Sequence, residues 1–449
     1  MRTPTTSSFH QHGAALLIVS MLLLFSSSIV VFYLNRGLIF EQKTSANQVR
    51  STSAQEAAEA GIEWATGKLN TPVDIQESDC EQSSTTNVSF RKIYAQTAAT
   101  NVISSSSYAY PGCKMSGTTL TCNCPAAPPT TNNAGTQQVS VANLGTNVLP
   151  GFTVTFADVP GDNEAVQITS TGCTAQAGAC KALTTLEGAP LTAANAAATT
   201  GAADATATIS VILKMRQLIR GAPASPLTCG STCALNGSFS VENFNVATNG
   251  TTVNSGGATD TGTSAVTTIP GLPSQNSVVQ NDNTLGSIVA SDPTCSNNAM
   301  FKTYFGSTIE QFAASTTTKS LPACNSSTCG DLLTRAYEDG WRSFYVQNDF
   351  HLNGNNTYGS SADPITLVGP GSIQLNGTAT VYGLIFANDA TYDDVNGSFQ
   401  LNGALLACNR FSGSGNAKIS YDANALTNLQ RSTAVLVRVP GSWRDFQSQ

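Results

Sequence analysis

Residues Gly13 to Leu34 read GAALLIVSMLLLFSSSIVVFYL, and the 21 residues from Ala14 to Leu34 carry no charge. At about 1.5 Å of rise per residue, a helix of that length spans roughly the 30 Å hydrocarbon core of a bilayer. Ahead of it lies a short polar leader, MRTPTTSSFHQHG, with Arg2, His10 and His12, which stops abruptly at Gly13. An ordinary secretory signal fits poorly, because its apolar core is roughly 7 to 15 residues long and ends at a small-residue cleavage site. Here the run is longer and ends in Tyr33, Leu34, Asn35 and Arg36. A plain single-pass anchor accounts for the length, but not for the glycine at the polar border or the helical pattern that follows.

No proline occurs between Ala14 and Leu69. One helix of some 56 residues, about 84 Å long, is therefore permitted. Its second half is amphipathic: Val49, Ala57, Ala60, Ile62, Trp64 and Leu69 alternate with Glu41, Lys43, Arg50, Glu56, Glu59 and Glu63. The segment from Ala54 to Trp64, AQEAAEAGIEW, is small on one face and acidic on another, as expected of a helix half packed against a sheet. A coiled-coil stalk is the alternative, but no Leu or Ile heptad is sustained.

The 449 residues leave room for two or three domains. Charged residues make up 11% and the net charge is -7, with no Lys/Arg cluster, which excludes nucleic acid as a partner. Twelve cysteines point to an oxidising compartment. They fall mainly into near neighbours: Cys122 with Cys124, Cys173 with Cys180, Cys229 with Cys233, and Cys324 with Cys329. Cys80, Cys113, Cys295 and Cys408 are more isolated. None of the pairs has zinc-knuckle spacing and no histidine lies close by, so local disulfides are expected, with Cys173, Cys180, Cys229, Cys233, Cys324 and Cys329 as candidates. No metal or other cofactor is expected.

Beyond Leu69 the period changes. Gly151 to Ala157 and Ala165 to Ser170 alternate apolar and polar residues across a Pro-Gly-Asp-Asn turn, and Ala205 to Met215 repeats the alternation. Three antiparallel strands against the amphipathic helix are expected, with residues 71–150 an unassigned insertion. From Pro226 a repeat appears: Asn376 to Ala387 aligns with Asn396 to Ala407 at an offset of 20, with Gly383 matching Gly403, and a degraded copy starts at Asn416. Leu-Asn-Gly recurs at 235, 352, 375 and 401. The regular period favours a β-solenoid over a series of Asn-Gly hairpins.

HGAALLIVSMLLLF followed by AQEAAEAGIEWA resembles the N-terminal region of PilX-type minor pilins of type IV pili. Ile168 to Gly172, Thr208 to Leu213 and Val439 to Asp445 are similar to the corresponding words of those chains. The resemblance implies a class III signal cut by prepilin peptidase after Gly13, with Ala14 as the N-methylated first residue. It also implies burial of the apolar helix among other minor pilins and the major pilin. The family's major pilins carry Glu at the fifth mature position, where it neutralises a neighbour's terminal amine; this chain has Ile18. Its absence implies a tip or initiating position, and it is shared with the tip pseudopilin of type II secretion systems.

The expected fold is α+β: leader 1–13, pilin helix 14–70 with 14–34 in the membrane, a pilin-like head with insertions 71–225, and a solenoid-like β-rich domain 226–449. The expected role is a minor pilin supporting pilus assembly, adhesion or twitching motility. It would sit in the inner membrane with its head in the periplasm before assembly and in the extracellular pilus afterwards, where its head could touch a surface ligand. A tip pseudopilin, a membrane-tethered adhesin and a polysaccharide-active solenoid protein are the alternatives. For enzymatic work His351 is the one histidine outside the leader, with Asp349, Asp393 and Asp394 as carboxylates, but DFHLNG has no nucleophile-elbow character. A calcium loop at Asp393, Asp394 and Asn396 fails EF-hand spacing. No enzyme is expected.

Overall fold

A computed structural model describes residues 12–76, 78–83, 88–95, 109–125, 140–141, 150–174, 205–325, 327–394 and 397–445. The long helix α1 runs His12–Leu69, 58 residues without a break. Its two halves differ in surroundings. From Leu16 to Val49 the large apolar side chains are exposed, whereas Ala54, Ala58, Ile62, Ala65 and Leu69 are fully buried. Their spacing of three and four residues makes one stripe, and that stripe lies on a sheet. Pro72 follows the helix, and the last carbonyl is satisfied by a side chain: the Arg91 Nε–H donates to the Leu69 carbonyl at 2.9 Å.

The sheet under α1 has six antiparallel strands. In chain order they are β1 (Gly112–Ser116), β2 (Thr119–Asn123), β3 (Gly151–Val159), β4 (Asp162–Cys173), β5 (Thr206–Arg216) and β6 (Val435–Arg438). In space the order is β6-β5-β4-β3-β1-β2. The three strands expected from alternation are its centre, and α1 packs across β3, β4 and β5. Two glycines set the close approach. A methyl at Gly172 would overlap the helix backbone at Ala54 and Ala58, and one at Gly61 would meet Ser170 and the Phe152 ring. Beside them Trp64 packs on Phe90 and Phe152, and Phe156 on Tyr94.

Two expectations about the borders change. Residues 71–150 are not only an insertion: they supply β1, β2 and the short helix α2 (Phe90–Tyr94) that closes the aromatic cluster. Residues 226–449 do not all lie in the second domain. The chain leaves the sheet after Arg216 and returns as β6, with Val435 paired to Arg216 and Arg438 to Leu213.

Between those points the strands are parallel and stack in three columns. The middle column runs, in space, through 318–321, 343–346, 365–369, 383–387, 403–407, 227–229, 253–255 and 278–279. Chain order and spatial order differ. The chain enters mid-column at Leu227, works outward to Val279, then passes through helices α3 (Asn283–Ser291), α4 (Ala299–Phe305) and α5 (Ile309–Ala313). It re-enters at the far end with Thr318 and works back until Leu405 lies beside Leu227. The stack therefore has one seam where neighbours in space are far apart in sequence.

The 20-residue offset read from sequence is the register of the central pair, Thr380 to Gln400 through Ala387 to Ala407. Gly383 and Gly403 pair within it at φ of 138° and 146°, and a methyl on either would overlap backbone of the strand beside it. The degraded copy also pairs, Lys418 with Gln400. The Leu-Asn-Gly words are not equivalent. Leu352 and Leu375 face each other in one column, to which Leu235 also belongs, while Leu401 pairs with Val381 and Ile419 in another. Leu384, Phe386, Ala404 and Leu406 point out of the middle column into a layer formed by α4, α5 and α7 (Ala423–Ser432), while Ile385 and Leu405 point inward. Helix α6 (Cys329–Glu338) closes the Thr318 end with Cys329, Leu333 and Ala336.

Candidate assembly interface

The largest unpartnered apolar surface among the described residues is α1 itself. Between Leu16 and Phe40, eighteen large hydrophobic side chains are more than half exposed. Burying one such side chain stabilises by about 1.5 to 3 kcal/mol, so covering this segment is worth tens of kcal/mol. A surface of that size is covered by lipid or by protein. Its hydroxyls are compatible with either: Ser20, Ser26 and Ser27 donate to the carbonyls of Leu17, Leu23 and Leu24 at 2.9, 3.0 and 2.9 Å. Their polar groups are thus met inside the helix and need no water.

Gly13 and Ala14 lie in the first turns of α1. Ile18 is 58% exposed on the same helix, among Leu17, Val19 and Leu22. The first charge after Ala14 is Arg36, so the exposed helix is an uncharged cylinder followed by a mixed-charge one.

The lower end of α1 is held by polar contacts that sequence does not announce. The Asn70 amide donates to the Leu436 carbonyl at 2.9 Å, and its Oδ1 accepts the Leu436 N–H at 2.7 Å. Asp363, in the parallel-strand domain, accepts from Lys92 on α2 at 3.0 Å and from Arg342 at 3.0 Å. Burial works against its charge, but Arg342 and Lys92 outweigh it and hold the carboxyl below its usual range. Burial raises Asp74 beside them. Lys92 and Asp363 stand 271 residues apart in the chain, and no local pattern marks the pair.

The cysteines pair as Cys80–Cys124, Cys113–Cys122, Cys229–Cys233, Cys295–Cys408 and Cys324–Cys329. Cys173 is disulfide-bonded, and Cys180 lies outside the described residues. The neighbours Cys122 and Cys124 are not bonded to each other. Cys122 stands directly opposite Cys113 in the β1–β2 ladder, where facing residues come close enough to bridge, and Cys124 turns to Cys80. Cys295–Cys408 is long-range and ties the helical layer to the middle column.

His351 sits half-buried on the strand Phe350–Leu352, in an open groove with Asp349, Asn325 and Gln347. Asp349 Oδ1 accepts the Ser372 N–H at 2.8 Å, and Cys324 in the same groove is bonded to Cys329. Asp393 and Asp394 end a strand, paired with Ser414 and Gly415, but their side chains and Asn396 lie outside the described residues. No group of three or more His, Cys, Asp or Glu suited to a metal occurs among the described residues.

These features define a subunit with one exposed apolar helix fused to an α+β head. Residues 12–63 match the family model for the PilX N-terminal region. The chain therefore carries a type IV pilin-like N-terminus. No curated protein matches it significantly. Among solved structures it is similar to an ice binding protein from an Antarctic Biological Consortium, at 12% identity over 46% of this chain and 91% of that one, with a TM-score of 0.24. It is also similar to the competence-associated pilin ComZ from Thermus thermophilus, at 12% identity over 88% of this chain and 97% of that one, with a TM-score of 0.21.

Proposed function

We propose that the chain is a minor pilin of a type IV pilus. Its exposed apolar helix is the carrying observation: together with the PilX match it reads as a segment that waits in the inner membrane and then packs against other pilin helices. The transfer is feasible because one apolar environment replaces another and the burial of Leu, Ile and Val is kept. In this reading prepilin peptidase cuts after Gly13 and Ala14 becomes the terminal residue. Ile18 supplies no carboxylate for a neighbour's amine, and an unpaired charge in an apolar core costs several kcal/mol. The subunit then fits a tip or initiating position, where no neighbour calls for that partner.

The parallel-strand domain is, in this reading, a solenoid in which each coil buries its inward residues on the next, and the seam at Leu405 and Leu227 closes it into one body. At a fibre tip it supports adhesion. Substituting Asp at Val19 or Leu23 tests the assembly role. Placing Asp at the helix centre costs about 2.5 to 3.5 kcal/mol in membrane insertion. Both variants are expected to be lost from sheared pilus fractions, with the Glu63→Gln variant retained as a control. Normal incorporation of either Asp variant would overturn the reading.

A further inference from the structure

Where α1, α2 and the parallel-strand domain meet, the structure has a partly open cavity of about 40 Å³. It has room for on the order of three water-sized particles. Three cationic side chains line it: Arg91, Lys92 and Arg342. One carboxylate does, Asp363, and its Oδ2 already serves both Lys92 and Arg342. Arg342 is otherwise engaged by the carbonyls of Tyr337 and Trp341.

Arg91 is the cation without a carboxylate. It is 6% exposed, takes part in no ion pair among the described residues, and spends its donors on the Leu69 carbonyl and, at 3.4 Å, on Asn70 Oδ1. Burial lowers its pKa to about 10, and no acidic group offsets that. Asp74 lies next to the cluster and feels Lys92 and Arg342, but it is not part of the cavity wall. Asp339, which also acts on Asp74, lies outside the wall too, and the wall itself carries three cations to one carboxylate. A buried excess charge is costly unless a partner compensates it, and the carbonyl end of α1 supplies only about half a negative charge.

We propose that this cavity binds one small monovalent inorganic anion, of the chloride type, which offsets the excess positive charge of the wall, above all that of Arg91, at the seam between the helix-bearing sheet and the parallel-strand domain. Lys92 and Asp363 keep 26% of their side-chain surface exposed and Arg342 17%, so the ion has a path from solvent. Bound there, it stabilises the docked arrangement of the two bodies, because only that arrangement brings Lys92 and Arg342 together.

The test uses the full chain in detergent micelles. Thermal midpoints are measured in sodium chloride and in sodium gluconate at equal ionic strength, and crystals grown in sodium bromide are examined for anomalous scattering. The expected result is a saturable rise in midpoint with chloride, on the order of 2 °C or more, and a bromide peak in the cavity. Lys92→Gln is expected to raise the chloride concentration at half-saturation at least five-fold. Should Arg91→Gln fail to fold, the wild-type measurements still decide. A bromide peak without a chloride-dependent midpoint would mean an adventitious ion only and would overturn the proposal. So would a chloride effect with no peak in the cavity, a Lys92→Gln response equal to wild type, or the absence of both signals.

Discussion

Gly172→Ala adds one methyl at the place where α1 lies closest to the sheet. The obstacle is not a side chain that can rotate away: the new carbon would overlap the Ala54 carbonyl and the Ala58 amide, both main-chain atoms in a continuous helix. The helix has to move outward, and Ala54, Ala58 and Ile62, all fully buried, lose contact with β4 and β5. Overpacking of this kind costs about 1 to 3 kcal/mol, and the gap opened along the stripe adds to it, giving about 2 to 4 kcal/mol in all. Gly67→Ala is the matched control. It adds the same methyl to an exposed position of the same helix with no atom nearby, and stabilises by about 0.5 to 1 kcal/mol through helix propensity. Hydrogen exchange, read by mass spectrometry on peptides covering 54–69 and 162–173, reports both. Gly172→Ala is expected to speed exchange there by about 30- to 1,000-fold, and Gly67→Ala to slow it a few-fold. Unchanged exchange in Gly172→Ala would refute the close approach of helix and sheet on which this account of the head rests.

Two further outcomes follow from the junctions. Asp363 has a folded-state pKa held below its unfolded value, so its contribution is present above the ordinary carboxylate range near pH 4 and is lost as pH falls through the depressed folded pKa. The difference in thermal midpoint between wild type and Asp363→Asn is therefore expected to be constant above about pH 5 and to shrink progressively as pH falls below about pH 4; a difference that stays constant or grows below pH 4 would contradict the ion-pair reading. Cys80–Cys124 closes a separation of 44 residues, which by loop entropy stabilises by about 4 kcal/mol. Replacing both cysteines with Ser is expected to lower the urea midpoint of the sheet body while leaving the parallel-strand domain unaffected. Equal loss in both bodies would show that they do not unfold separately.

The parts legible in the sequence were those with a local cause. An unbroken proline-free run gave α1, strict alternation gave β3 to β5, and paired glycines 20 residues apart gave the central register. What escaped depends on distance in the chain. The strand Val435–Arg438 looks like part of the second domain until its partner at Arg216 is known. The seam joins Leu405 to Leu227 without any shared word. The helical layer does have a local signal: Leu384-Ile385-Phe386-Ala387 and Ala404-Leu405-Leu406-Ala407 are continuously apolar, which marks strands buried on both faces rather than one. The near-neighbour rule for cysteines failed at Cys122 and Cys124 because residues two apart on an extended strand are held apart, whereas Cys113 faces Cys122 across the ladder. The cation cluster at Arg91, Lys92 and Arg342 had no signal in the sequence at all.

In the proposed function the exposed helix is a processed pilin helix. Mass spectrometry of the mature N-terminus, on protein recovered from sheared pili and from membranes, tests it most directly. The mature chain is expected to begin at Ala14 with a methylated amine in both fractions. A chain beginning at Met1, or anywhere downstream of residue 35, would contradict it.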